Sequence, residues 1–155
     1  MVVENLLSRE AQIFFWLALI DRLNTRNMIR RRGMHLDNYQ CVLYQNSTEE
    51  TVMHLLFYCP FAKDCWSWMD FHFADHLSIQ QIFLAWKSLL KVEFSLDIFI
   101  LLCWAIWMTR NDVIFRNMNP SVQDCKRHLT VETLLLLHRC KARIAPLESW
   151  INSNL

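Results

Sequence analysis

The chain has 155 residues, the size of one domain with one core, and its 54% hydrophobic and 13% aromatic content excludes a largely disordered polypeptide. One Gly and three Pro leave little material for hairpin turns, which argues against a sheet-rich fold and excludes a Gly-rich phosphate loop. A formal net charge of +1 means that any basic surface for nucleic acid must be local. The opening stretch MVVENLLSRE carries acidic residues and no cleavage-site pattern, so no secretory or transit segment is expected. Six Cys at irregular spacings predict a reducing compartment, nucleus or cytoplasm, with thiols free or bound to metal.

Ser8 reads as the N-cap of a helix over 9–22, with Ile13, Trp16, Leu17 and Ile20 at helical spacing and Phe14, Phe15 and Leu19 widening the apolar surface. Leu23-Asn24-Thr25 breaks it, and Asn24 or Thr25 caps a short helix over 26–32 that Gly33 ends. Arg26, Arg30, Arg31 and Arg32 fall in this helix, with Arg26 and Arg30 on one face. Arg forks match phosphate oxygens, which points to nucleic-acid contact. The other reading is a solvated helix whose cations favour its C-terminal end.

Residues 34–47 form a loop carrying Cys41, and Ser47-x-x-Glu50 reads as a capping box for a helix over 48–58. That helix would carry His54, with Cys59 just past its end and Pro60 as punctuation. Cys41, His54 and Cys59 have the spacing of a small zinc knuckle, whose second thiolate should stand at position 44. Tyr44 occupies that place, and a neutral phenol with a pKa of about 10 is a poor ligand, so the fourth corner is missing. Cys65 and His35 are alternative fourth ligands, although Cys65 lies more than a helical turn beyond Pro60 and reads better as core; His54 and Cys59 as ordinary buried residues is the reading without metal. Tyr44 is expected to pack against the core.

From Pro60 to about 73 a helix should carry Phe61, Cys65, Trp68 and Met69 along one face, enlarged by Trp66 and Phe71; Asp75 and Ser78 break the His72/His76 pair, which argues against a second metal site. Ser78 caps a helix over 79–91 and Ser95 another over 96–117. The most apolar run, Ile98 to Met108, lies between Asp97 and Arg110 and is far short of the roughly 20 residues of a membrane span, so a buried core helix in a soluble chain is expected. Asn119-Pro120-Ser121 is a stop and restart before a last helix over 121–143. That helix turns Val122, Cys125, Leu129, Leu136 and Cys140 inward and adds charge at Lys126, Arg127, Arg139, Lys141 and Arg143. Pro146 then ends it, leaving SWINSNL as a tail. The expected fold is all-α, one domain of six or seven helices with a short irregular knuckle-like loop and at most a short hairpin around Cys41.

Four pieces in order, FFWLALIDRLNTRNMIRRRG, the Cys41 knuckle, ETVMHLLFYCPFAKDCW and WAIWMTRNDVIF, resemble the reverse-transcriptase zinc-binding domain of plant non-LTR (LINE-type) retrotransposon polyproteins. The resemblance divides the chain into an N-terminally truncated zinc-binding-like domain over 1–118 and a C-terminal helix and tail over 119–155. It implies zinc as cofactor, RNA or DNA as partner, and reverse transcriptase or ribonuclease H domains as neighbours that this chain lacks; the short apolar run separately predicts no membrane partner. The two-metal chemistry of those enzymes needs clustered carboxylates, and the acids here are scattered, so no enzyme is expected. The implied function is a non-catalytic accessory module; the alternative is a retroelement relic or structural helical interaction domain that binds neither zinc nor nucleic acid.

Overall fold

Side-chain caps set most of the helix starts. The computed structural model describes residues 6–44, 47–140 and 144–155. Ser8 accepts the amide of Ala11 at the head of α1 (Arg9–Leu19), and Thr25 does the same for Met28 at α2 (Arg26–Arg31). Gly33 closes α2 at φ 73°, a left-handed conformation that suits glycine. Cys59 and Pro60 open α3 (Pro60–Trp68), and Ser78 with Gln81 forms a complete capping box on α4 (Ile79–Leu89). Then follow α5 (Ser95–Arg116), which ends on left-handed Asn117, α6 (Val122–Arg139), capped by Ser121, and α7 (Ile144–Asn154). Among the described residues the fold is all-α: seven α-helices, one π-helical turn at His54–Tyr58, and no strand beyond an isolated antiparallel bridge between Gln40 and Glu49.

α5 is the axis of the core, packing against α1, α3, α4, α6 and the π-helical turn. It is the one described helix long and apolar enough to cross a membrane by length and composition, with 61% of its most apolar stretch buried in the fold. Trp66 sits at the aromatic centre, with ring centroids 5.7 Å from Phe57, 5.2 Å from Phe99 and 5.8 Å from Trp86. Both fully buried indoles have partners: Trp66 Nε1 donates to Leu56 O at 2.8 Å and Trp86 Nε1 to Ser95 O at 2.7 Å.

Several expected boundaries shift, each for a packing reason. α1 turns Ala11, Phe14 and Ala18 inward and leaves Ile13, Trp16 and Ile20 exposed. The two alanines let the helix close on α5, where Phe14 meets Trp104 and Trp107 at 5.2 and 5.9 Å. α3 stops at Trp68 because left-handed Asp70 turns the chain and returns Phe71 to the core. Ser95 is buried in the first turn of α5 and Phe94 takes the cap position. α6 ends at Arg139; Lys141 and Arg143 lie outside the described residues. The expected tail is α7, which buries Leu147 and Trp150.

The Ser47 capping box does not form. Ser47 takes a left-handed φ of 64°, Thr51 caps the segment by accepting the His54 amide at 3.1 Å, and Glu50 goes into the core. One Glu50 oxygen, Oε1, accepts Arg110 Nη2 at 2.7 Å, Arg110 Nε at 3.2 Å and the Arg26 amide at 3.0 Å. The pair is almost wholly removed from water, with side chains 0% and 5% exposed, and the guanidinium lies 4.7 Å from the Trp107 ring. Removing one member of a buried pair strands the other charge. Arg110→Met is expected to lose about 3–5 kcal/mol in urea unfolding. Glu50→Gln/Arg110→Met, which removes the charge and keeps an acceptor for the Arg26 amide, should recover a substantial part of it; a double variant as unstable as the single one contradicts this.

Candidate metal centre

The Cys41 loop is a minimal hairpin. Cys41 N donates to Thr48 O at 2.8 Å and Glu50 N to Tyr39 O at 3.0 Å, bracketing the Gln40–Glu49 bridge. His54 opens the π-helical turn and Cys59 follows it, and the Cys59 amide donates back to His54 O at 2.6 Å. Such a turn adds a residue to the helical repeat and is frequent at functional sites. Leu55, Leu56 and Phe57 of the turn are fully buried, so the two flanking side chains are anchored to the aromatic core.

These elements bring Cys41, His54 and Cys59 together, with their donor atoms all within 4.8 Å of one another. The two sulfurs are 3.8 Å apart. Thiolates about 2.3 Å from a tetrahedral zinc stand about 3.8 Å apart. His54 as a residue is half-buried, but its Nε2 is buried and makes no hydrogen bond. Two thiols and an imidazole whose donor atoms lie this close, with one ring nitrogen buried and unpartnered, form a donor set that fits zinc. The Cys41 thiol is held well above its ordinary value, first by its hydrogen bond with Cys59 and then by burial. Cys59 is pulled down to about 7, chiefly by the same bond, with burial opposing and the nearby amides of Ala62 and Phe61 assisting. Neither amide makes a full capping bond, so their effect is that of the helix N-terminus.

The alternative fourth ligands do not join the group. Cys65 is buried against Cys125, which with burial holds its thiol far up. His35 is exposed beside Asp37. Tyr44, expected against the core, is 48% exposed, because Cys41 and Leu43 take the inward positions of the loop. His72 and His76 are both exposed.

α2 is bonded to this hairpin. Arg26 Nη1 donates to Gln40 O at 3.0 Å, Asn27 Nδ2 to Glu49 Oε1 at 3.0 Å, and Arg30 pairs with Glu49 at 2.8 Å. Arg31 pairs with Asp21 at 2.9 Å and Arg32 Nη1 donates to Asn24 Oδ1 at 3.0 Å. Arg30, Arg31 and Arg32 are exposed, and exposed pairs of this kind are worth about 0–1 kcal/mol, so their guanidinium groups exchange partners readily. Glu50 and Arg110, which hold the arrangement, escape sequence reading. Arg110 had one signal, a cation where an apolar helix turns polar; Glu50 was hidden by its capping spacing.

Residues 2–66 match the family model described as zinc-binding in reverse transcriptase. The stretch holds α1, α2, the hairpin, the π-helical turn and the start of α3 up to Trp66, and with them Cys41, His54 and Cys59. No curated protein and no solved structure matches the chain.

Protonation of the metal-free thiols gives a directional test. Cys59 titrates at about 7 in the fold against an ordinary 9.0, so between those values the unfolded chain binds more protons and stability rises with pH. Cys41 is raised, so above 9.0 the unfolded chain loses both protons while the fold keeps one, and stability falls. Thermal stability in chelator should therefore rise above neutral pH and turn over before pH 9, because the raised Cys65 and Cys103 thiols also favour the unfolded chain there, and Cys59→Ala should remove the rise. A melting temperature that falls steadily from neutral pH contradicts the shared proton.

Proposed function

We propose that the chain is a non-catalytic accessory module in which zinc on Cys41, His54 and Cys59 fixes the hairpin that positions Arg26, Arg30, Arg31 and Arg32 against the phosphates of RNA or DNA. The observation that carries this is the convergence of two thiols and an orphaned imidazole nitrogen on the hairpin to which α2 is bonded. Bound zinc supplies a crosslink between the Cys41 hairpin and the Cys59 helix start, a structural role. The exposed guanidinium groups supply phosphate contact, and release of counterions supplies the driving force. The matched family supports an origin in reverse transcriptase, and we place that origin in a plant LINE-type polyprotein with reverse transcriptase or ribonuclease H domains as its natural neighbours. A reducing compartment, nucleus or cytoplasm, suits thiols with this role.

We assign no catalysis to the module. Two of the acids near the centre are engaged in holding it together, Glu50 with Arg110 and Glu49 with Arg30 and Asn27, and Asp64 on α3 is exposed to solvent. An open fourth position resembles a catalytic zinc in ligand count, but among the described residues no further His, Cys, Asp or Glu joins the Cys41, His54 and Cys59 group.

Protein purified without chelator should carry zinc, and Cys59→Ser should lose it. Tyr44→Cys, which restores the second thiolate of a Cys-x-x-Cys turn, should tighten zinc by orders of magnitude and raise the melting temperature only with zinc present. Equal, zinc-independent melting of both proteins contradicts the metal reading. For nucleic acid, Arg30→Ala/Arg31→Ala/Arg32→Ala should weaken binding equally across sequences and flatten the salt dependence by up to roughly 0.9 for each phosphate no longer neutralised. Unchanged affinity assigns these side chains to their local pairs, and failure of both experiments leaves a helical relic with neither ligand.

A further inference from the structure

The polar half of α5 faces α2 and the 34–38 loop across a cavity of about 570 Å³. Its walls combine two aromatic side chains, Phe115 and Trp107, with Arg26, Arg110, Asn38 and Asn111; Asp37 also lines it. Phe115 is 77% exposed, the most exposed large apolar side chain among the described residues, and contributes little to the fold by burial. Trp107 is the opposite case, fixed by the Arg110 guanidinium 4.7 Å from its ring. The amide oxygens are occupied: Asn111 Oδ1 accepts Arg110 Nη1 at 3.1 Å, and Asn38 Oδ1 accepts the Gln40 amide at 2.7 Å. That leaves the NH2 of each to donate, and Asp37 to accept.

We propose that this cavity receives one unpaired base of a single-stranded nucleic acid, stacked on Phe115, with its edge read by Asn38, Asn111 and Asp37. The inference rests on the nucleic-acid reading above and names the form of its ligand. A flat aromatic surface beside amide donors and a carboxylate suits a planar heterocycle carrying both donors and acceptors. Arg26 lies in the wall, and Arg30 follows it one helical turn along α2, so a backbone leaving the cavity passes cations. A base within a duplex offers neither its faces nor its pairing edge, so the occupant is unpaired.

The test uses the whole chain with three probes: a short single-stranded RNA, the single-stranded DNA of the same sequence, and the corresponding DNA duplex. Phe115→Ala, at an exposed position, should lower single-strand affinity about five- to a hundredfold, the effect of losing one stacked base. Its salt dependence should stay unchanged, and duplex affinity should not move. Phe115→Trp should retain binding, with the new indole quenched by either single strand; the RNA and DNA arms show whether the sugar matters. Wild-type binding that Phe115→Ala leaves intact, or loses equally for duplex and single strand, overturns the base pocket while the phosphate reading stands. Absence of binding to all three probes overturns the phosphate reading and the pocket with it.

Discussion

One buried carboxylate oxygen holds three parts of this molecule in register. Glu50 Oε1 accepts two bonds from the Arg110 guanidinium and one from the first amide of α2, so the Cys41 hairpin, the basic helix and the core helix α5 meet at a single atom. A buried ion pair is weak evidence for net stability, since desolvation offsets much of the attraction. Its value here is geometric: partners must arrive in one orientation for the charges to be satisfied. The second oxygen, Oε2, makes no hydrogen bond, which leaves the whole of the specificity on Oε1.

The candidate centre is built on that frame and on the aromatic core beneath it. Cys41 comes from a hairpin tied to α2, while His54 and Cys59 bracket a π-helical turn whose middle residues are sealed against Trp66 and its neighbours. A complete four-ligand site in a small domain contributes much of its folding free energy through the metal. Here Trp66, Phe57, Phe99 and Trp86 form a packed centre that does not depend on one. A knuckle with Tyr44 in place of a thiolate is therefore tolerated by the fold, and the exposed position of that phenol removes any cost of burying its hydroxyl.

Local signals were legible in the sequence where they act locally. Ser8, Thr25 and Ser78 cap the helices they precede, and the spacing of Cys41, His54 and Cys59 foretells a convergence that the fold contains. What failed was any choice that depends on a distant partner. Ser47 and Glu50 have the spacing of a capping box, but Arg110 is sixty residues away and draws the carboxylate inward. Which stripe of α1 faces in was decided by the room beside Trp104 and Trp107, which favours Ala11 and Ala18 over Ile13 and Trp16. Pro146 reads as a helix stop, yet a proline in the first turn costs no hydrogen bond and α7 runs on through Trp150.

The sixty-residue separation of Glu50 and Arg110 also sets an order of events during synthesis. At about 5–20 residues per second, Arg110 is added roughly 3–12 s after Glu50. Through that interval the hairpin and α2 have only their short-range bonds, and the carboxylate that belongs in the core stays hydrated. Capture of the amino-terminal half is completed from the carboxyl-terminal side, by the arrival of α5.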